Sequence, residues 1–116
     1  KTARLLSVSV TAPALLAGAH ETILTKLTEY GDSIGLAFQI CDDILNVIGS
    51  EKEMGKAVGS DEKMGKVTYP KFLGLDGAKE KARALCAKAK SALDTFPADR
   101  RQPLELLGDF IIERMK

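Results

Sequence analysis

The chain has 116 residues, of which 45% are hydrophobic and 28% are charged. This composition is typical of one globular domain, and it excludes a fibrous chain, a disordered chain and a large two-lobed cleft. Lysine and arginine number 17 against 16 acidic residues, and the resulting net charge of +1 argues against a general nucleic-acid surface. No apolar run approaches the roughly 20 residues that would span a bilayer.

The chain opens with Lys1-Thr2-Ala3-Arg4-Leu5, without a methionine or a signal peptide and already in a helical pattern, so we expect a piece of a longer protein. Cys41 and Cys86 lack a short metal-type spacing. We therefore predict that both cysteines are reduced thiols and that the protein is cytoplasmic; a disulfide or a metal pair is the alternative.

Helical periodicity runs through most of the chain, and strand patterns are almost absent, so we predict an all-α fold without an internal domain boundary. A first helix is expected from residue 1 to about 19, with Pro13 placed to kink or break it. A long second helix is expected over 21–48. Its apolar positions recur at alternating steps of four and three, at Ile23, Leu27, Tyr30, Ile34, Ala37, Cys41, Ile44 and Ile48.

Beyond the second helix, residues 49–66 are rich in glycine and lysine and predict a loop. A short helix is expected over 70–75, followed by a longer helix that Asp76 would cap. The buried stripe predicted for that longer helix is Ala78, Ala82, Leu85, Ala89, Leu93 and Phe96. Asp99 would cap a last helix, and the residues predicted to face inward there are Leu104, Leu107, Ile111 and Met115.

The long second helix also carries a polar wedge. At 100° per residue its four polar members fall within about 100°, opposite the apolar stripe; they are Gln39, Asp42, Asp43 and Asn46. Gly31 and Gly35 border the wedge and leave room there for something bulky. The wedge is either an ordinary solvent-facing stripe or a binding site.

Adjacent carboxylates at Asp42 and Asp43 repel each other unless a cation offsets their charge, which favours a Mg²⁺ site. Mg²⁺ takes one or two protein carboxylates and completes its shell with water and phosphate oxygens. Lys56 and Lys66 each follow a glycine in the nearby loop, so their ammonium groups could reach a diphosphate. The alternative is that both lysines only keep a loop soluble.

Other chemistries have weaker support in the sequence. The glycine–lysine loop does not meet the spacing of a Walker-type phosphate loop. His20, the only histidine, stands at a helix boundary and is interpreted as a cap or surface residue, without nearby partners for nucleophilic catalysis. Tyr30 and Tyr69 are interpreted as packing residues.

The motifs taken together resemble the second aspartate-rich region of the trans-isoprenyl diphosphate synthases, most closely the bacterial-type farnesyl and geranylgeranyl diphosphate synthases. They occur in order over residues 1–116, as Lys1-Thr2, Gly35-Leu-Ala-Phe-Gln-Ile-Cys-Asp-Asp-Ile-Leu-Asn46, Gly55-Lys56, Gly59-Ser-Asp61, Gly65-Lys66-Val-Thr-Tyr-Pro70 and the basic end Ile112–Lys116. The resemblance implies the C-terminal portion of an isoprenoid-synthase-type helical bundle.

The resemblance also implies residue roles. Asp42 and Asp43 would bind Mg²⁺, with Asn46 standing where the family usually has an aspartate. The residues that would contact or orient the allylic diphosphate, or line its side of the site, are Lys1, Thr2, Phe38, Gln39, Lys56, Asp61 and Lys66. Arg114 and Lys116 resemble the basic tail near the isopentenyl diphosphate site.

The implied reaction is a head-to-tail condensation of isopentenyl diphosphate with an allylic diphosphate by a homodimeric enzyme. The family's first aspartate-rich motif lies upstream of the region matched here, so residues 1–116 alone are expected to be inactive. A rival hypothesis is a non-catalytic helical subunit that partners a full-length synthase. A cyclising terpene synthase is disfavoured, because the lysine loop resembles that of the chain-elongating enzymes.

Overall fold

The structure, a computed structural model, describes residues 2–52 and 69–115. Its helices are α1 (Thr2–Leu16), α2 (Glu21–Lys52), α3 (Tyr69–Ala92) and α4 (Ala98–Arg114). These described residues contain no strand, which confirms the predicted all-α class. Within the same ranges, no helix combines the length and the apolar character needed to cross a membrane.

Helix α1 continues past Pro13 and ends three residues earlier than its periodicity predicts. Gly18 ends it with φ +75°, a left-handed conformation that glycine adopts without a steric cost. The N–H of Gly18 donates to the carbonyl oxygen of Leu15 at 3.1 Å. The N–H of Ala19 donates to the carbonyl oxygen of Ala14 at 3.0 Å, so these carbonyl groups at the helix end are satisfied.

Three predicted boundaries differ from the structure. Helix α2 extends to Lys52, so the first residues of the predicted loop are helical, and the rest of that loop lies outside the described residues. The short helix predicted over 70–75 is interrupted at Gly74, where φ is +79°, and the helical residues on both sides of this break form α3. The prediction that Asp99 caps α4 is wrong: Pro97 occupies the cap position, and no side chain accepts a hydrogen bond there.

The core lies where α2 meets α3 and α4. The fully buried residues of the predicted stripes include Tyr30, Ile34, Ala37, Cys41 and Ile44 of α2, Ala78, Ala82 and Ala89 of α3 with Leu93 just after it, and Ile111 of α4 with Met115 just after it. Most of the buried α3 positions are alanines, and short side chains allow the α2 and α3 backbones to pack closely. Leu107 was predicted to face inward, but it is 38% exposed.

Helix α1 lies against α2 through two glycines. A Cβ built on Gly31 would lie 2.6 Å from the Cα of Ser7, and one built on Gly35 would lie 2.5 Å from the Cα of Ala3. The space that these glycines leave is therefore filled by the backbone of α1. Because the later glycine faces the earlier α1 residue, the two helices run antiparallel.

We predict that Gly35→Ala destabilises the chain by about 2–3 kcal/mol, because the added methyl group would force the α1 backbone away from α2. Gly49→Ala is the matched control, since Gly49 is in the same helix and a Cβ there meets no atom within 4 Å. The control should gain up to about 1 kcal/mol from helix propensity. Urea unfolding measures the unfolding free energy of both variants, and an equal change in the two would contradict the close contact.

A second stability prediction concerns Ile34, which is 1% exposed at the centre of the core. Ile34→Asp should prevent folding, because a buried carboxylate without a partner costs several kcal/mol. Leu5→Asp is the control, at a position 67% exposed on α1, and it should change stability by less than about 0.5 kcal/mol. Circular dichroism of the two variants tests this, and a folded Ile34→Asp protein would refute the predicted core position.

Candidate functional site

The polar wedge of α2 is not a uniform solvent-facing stripe. Asp42 has a side chain that is 39% exposed, and Asn46, one turn further on, is also exposed. Gln39 is half-buried, whereas Asp43 is only 8% exposed. Asp42 and Asn46 therefore share an accessible face, while the adjacent Asp43 is directed into the protein.

Helix α1 packs against α2 at the two glycines that border this wedge. Since Ala3 faces Gly35 and the helices are antiparallel, the N-terminal end of α1 is directed toward the α2 turn that carries Gln39 and Asp42. The glycine spacing alone predicts an open space beside Gly31 and Gly35 and does not indicate what fills it. The signal that identifies α1 as its occupant is the matching four-residue spacing of small residues, Gly31 with Gly35 and Ala3 with Ser7.

The C-terminal end of α4 closes one side of the wedge. Nη2 of Arg114 lies 3.3 Å from Oδ1 of Asp42 and forms an ion pair with it. The Arg114 guanidinium also lies over the ring of Phe38, with 5.2 Å between Cζ and the ring centroid. Arg114, which sequence analysis assigned to a basic tail, thus contacts two other predicted site residues. The motifs provide no signal for this pairing, because 72 residues separate its members.

Two hydrogen bonds from α2 hold α4 in this position. The Tyr30 hydroxyl donates to the carbonyl oxygen of Leu104 at 2.8 Å, and the Cys41 thiol donates to the carbonyl oxygen of Ile111 at 3.6 Å. Both donors are on the buried stripe of α2. The packing prediction for Tyr30 is confirmed, and its hydroxyl has the additional role of fixing α4.

Burial keeps the core hydroxyl and thiols protonated. It raises the pKa of Tyr30 to about 12, and the neighbouring Cys86 adds to the increase. It raises the pKa of the Cys86 thiol to about 11, against a partly opposing effect of Lys90, and raises the pKa of Cys41 as well. Both cysteines are free and buried, as the sequence predicted. His20 is exposed, in agreement with its interpretation as a surface residue.

Several predicted site residues lie outside the described part of the chain. They are Lys1, Lys56, Asp61, Lys66 and Lys116, and the side chain of Thr2 belongs with them. Of the other predicted site residues, the structure brings together Phe38, Asp42 and Arg114, and it places Gln39 and Asn46 on the same helix as the first two.

Within residues 2–52 and 69–115 no group of three or more His, Cys, Asp and Glu side chains is placed to hold a metal ion. Mg²⁺ does not need such a group, because it uses one or two carboxylates together with water and phosphate. The accessible Asp42 carboxylate, already paired with the Arg114 guanidinium, fits that donor set, and Asn46 adds an amide oxygen one turn away.

A separate cavity of about 500 Å³, lined by Glu21, Asp32 and Lys88 among others, contains none of the predicted site residues.

The chain is similar to known proteins over most of its length. The family model described as polyprenyl synthetase matches residues 1–99. The chain is 43% identical over 114 residues to a dimethylallyltranstransferase of Fischerella ambigua (strain UTEX 1903), covering 98% of this chain and 33% of that protein. It is 45% identical over 114 residues to a chloroplastic geranylgeranyl pyrophosphate synthase of Capsicum annuum, covering 98% of this chain and 31% of the relative.

Solved structures show the same fold. A decaprenyl diphosphate synthase from Rhodobacter capsulatus superposes with a TM-score of 0.85 at 27% identity, over 100% of this chain and 48% of that one. A polyprenyl synthase from Roseobacter denitrificans gives a TM-score of 0.82 at 28% identity, over 98% of this chain and 50% of that one. The chain therefore belongs to the polyprenyl synthetase family, and it spans about a third of the length of the curated relatives it matches.

The raised pKa of Tyr30 leads to a pH prediction. Below pH 10 the neutral phenol contributes its full stabilisation, which is lost as the pH rises toward about 12. Tyr30→Phe should lower stability by about 1–2 kcal/mol at pH 7, because the Leu104 carbonyl loses its donor. The difference in unfolding free energy between the wild type and Tyr30→Phe should be smaller by about 1 kcal/mol at pH 11.

Urea unfolding of the protein with and without Tyr30→Phe, at pH 7 and at pH 11, measures this difference in unfolding free energy. Cys86→Ala is introduced into both proteins, because the Cys86 thiol titrates in the same pH range and interacts with Tyr30. A difference that is the same at both pH values would contradict the role assigned to the Tyr30 hydroxyl.

Proposed function

We propose that this chain supplies one diphosphate-binding half of a short-chain trans-prenyltransferase and corresponds to the C-terminal part of that enzyme. The complete enzyme, a homodimer, would condense isopentenyl diphosphate with an allylic diphosphate. Membership of the polyprenyl synthetase family supports the reaction class. The site is supported mainly by one observation: the Asp42 carboxylate is accessible and forms an ion pair with the Arg114 guanidinium.

In the proposed site, Asp42 is the main ligand for Mg²⁺, and Asn46 offers a neutral oxygen on the same face. When bound, the metal ion would withdraw charge from the departing diphosphate. Asp43, which is 8% exposed, would act from the buried side of the same turn by adding negative charge near Asp42. This division of roles refines the equal metal-binding role that the sequence suggested for the two aspartates.

The remaining residues would bind and orient the substrates. Phe38 and Gln39 precede the aspartates by one turn and would line the allylic side. Lys1, Lys56 and Lys66, with Thr2 as a neighbour, would neutralise the diphosphate oxygens of the allylic substrate. Arg114 and Lys116 would form a basic tail near the isopentenyl diphosphate site. The carbon–oxygen bond to the diphosphate breaks, the isopentenyl double bond attacks the allylic cation, and a proton leaves the adduct. Electrostatic stabilisation of the departing diphosphate is the main catalytic effect.

Residues 1–116 alone are proposed to be inactive, because this reaction needs more than one acidic cluster around the diphosphates. A non-catalytic subunit that binds a full-length synthase is the second candidate. Such a subunit needs an exposed apolar surface for its partner, and α1 and α4 provide one, which the rest of a longer enzyme would cover under the first candidate; it includes Leu5, Val8, Leu16, Leu106 and Phe110. Addition of the chain to a full-length synthase should raise turnover under this candidate and leave it unchanged under the first. The cytoplasmic location stays a prediction.

We expect Asp42→Ala and Asp43→Ala in the complete enzyme to lower turnover by about 10²-fold or more, because each removes charge beside the proposed metal site. Asp32→Ala is the control, since Asp32 is exposed on the same helix and three turns away. Incorporation of labelled isopentenyl diphosphate into product measures turnover. Near-normal activity of both Asp42→Ala and Asp43→Ala would overturn the proposed site.

A further inference from the structure

Arg114 has two partners on one face of α2. Its guanidinium is 3.3 Å from the Asp42 carboxylate and lies over the Phe38 ring, and these two residues are one helical turn apart. Its neighbours on α4, Ile111 and Met115, are 1% and 2% exposed. The backbone at the end of α4 is therefore held by buried side chains, and the position of the Arg114 side chain is set separately by its two polar and aromatic contacts.

The Arg114–Asp42 pair has the properties of an exchangeable contact. The two side chains are 31% and 39% exposed, and one nitrogen–oxygen distance of 3.3 Å joins them. Partly exposed ion pairs of this kind contribute little to folding stability. The pair is thus better suited to setting the charge at Asp42 than to holding the fold together.

We propose that Arg114 is a positioning residue that acts as the resident counter-cation of Asp42 and competes with a divalent cation for that carboxylate. The inference rests on the proposed function, because it assumes that Asp42 is the metal ligand. A guanidinium does not lose its proton in proteins, so its positive charge persists when a metal ion arrives. Two cations beside one carboxylate repel each other, and Arg114 must move away from Asp42 or weaken metal binding.

On the described part of α2, Asp42 is the accessible carboxylate of this turn. Asp43 is buried on the neighbouring side of the helix, and Asn46 carries no charge. After Arg114 leaves Asp42, the Phe38 ring still provides a face for the guanidinium. The side chain would therefore stay at the rim of the site when the metal ion is bound.

Binding of Mn²⁺ alone to the full chain tests this proposal, with the free aquo ion counted by electron paramagnetic resonance. Arg114→Gln should bind Mn²⁺ about 3- to 10-fold more tightly than the wild type, because one competing charge is removed. Arg114→Lys keeps the charge and should stay close to the wild type. Arg83→Gln is the matched control, since Arg83 pairs with Glu80 on an exposed part of α3, and it should not change the affinity.

A second measurement follows Arg114 directly. The side-chain Nε–H signal of Arg114 in a nuclear magnetic resonance spectrum should shift when Mg²⁺ is added to the wild type, and it should not respond in Asp42→Asn. A thermal melt of each variant establishes that it is folded before its affinity is compared.

The outcomes separate the two levels of the proposal. If Asp42→Asn loses Mn²⁺ binding but Arg114→Gln binds no more tightly than the wild type, the counter-cation role is overturned and the metal role of Asp42 stands. If Asp42→Asn binds Mn²⁺ as tightly as the wild type, the metal ion is not at Asp42 and both proposals fail. Tighter binding by Arg114→Gln, together with loss of binding in Asp42→Asn, supports both.

Discussion

The contact between α1 and α2 at two glycines is the constraint on which the rest of the site depends. Gly31 and Gly35 allow the α1 backbone to approach so closely that no side chain would fit between the helices. This contact fits an antiparallel α1 and directs its N-terminal end toward the turn that contains Gln39 and Asp42. A larger residue at either glycine would move that end away from the polar wedge.

The other wall of the site is set by α4, and its position depends on buried polar donors. Tyr30 and Cys41 donate to carbonyl groups of α4 from within the apolar stripe of α2. A single helix therefore contributes to both the core and the site. One face of α2 holds α4 through Tyr30 and Cys41, and Asp42 on another face pairs with Arg114 at the end of α4. The packing of α4 against α2 therefore determines whether Arg114 can pair with the Asp42 carboxylate.

Much of the fold could be predicted because helical periodicity is a local property. The apolar stripe of α2 and the alanine-rich stripe of α3 were both read correctly from spacing alone. The errors occurred at helix ends and at one surface position. Local signals at Asp99 and Gly49 favoured a cap and a loop, but the α4 cap position fell on Pro97 and α2 continued to Lys52. Leu107 satisfied the apolar pattern of α4 without being buried.

The sequence by itself determined the all-α class, the buried face of each main helix and the family to which the motifs point, since these depend on spacing along the chain. Only the tertiary structure decided that Asp42 is accessible while Asp43 is buried, and that Arg114 reaches Asp42 across 72 residues. Adjacent residues on a helix differ by 100° in direction, so their exposure depends on what packs beside them. A contact between distant helices likewise depends on how the whole bundle is assembled.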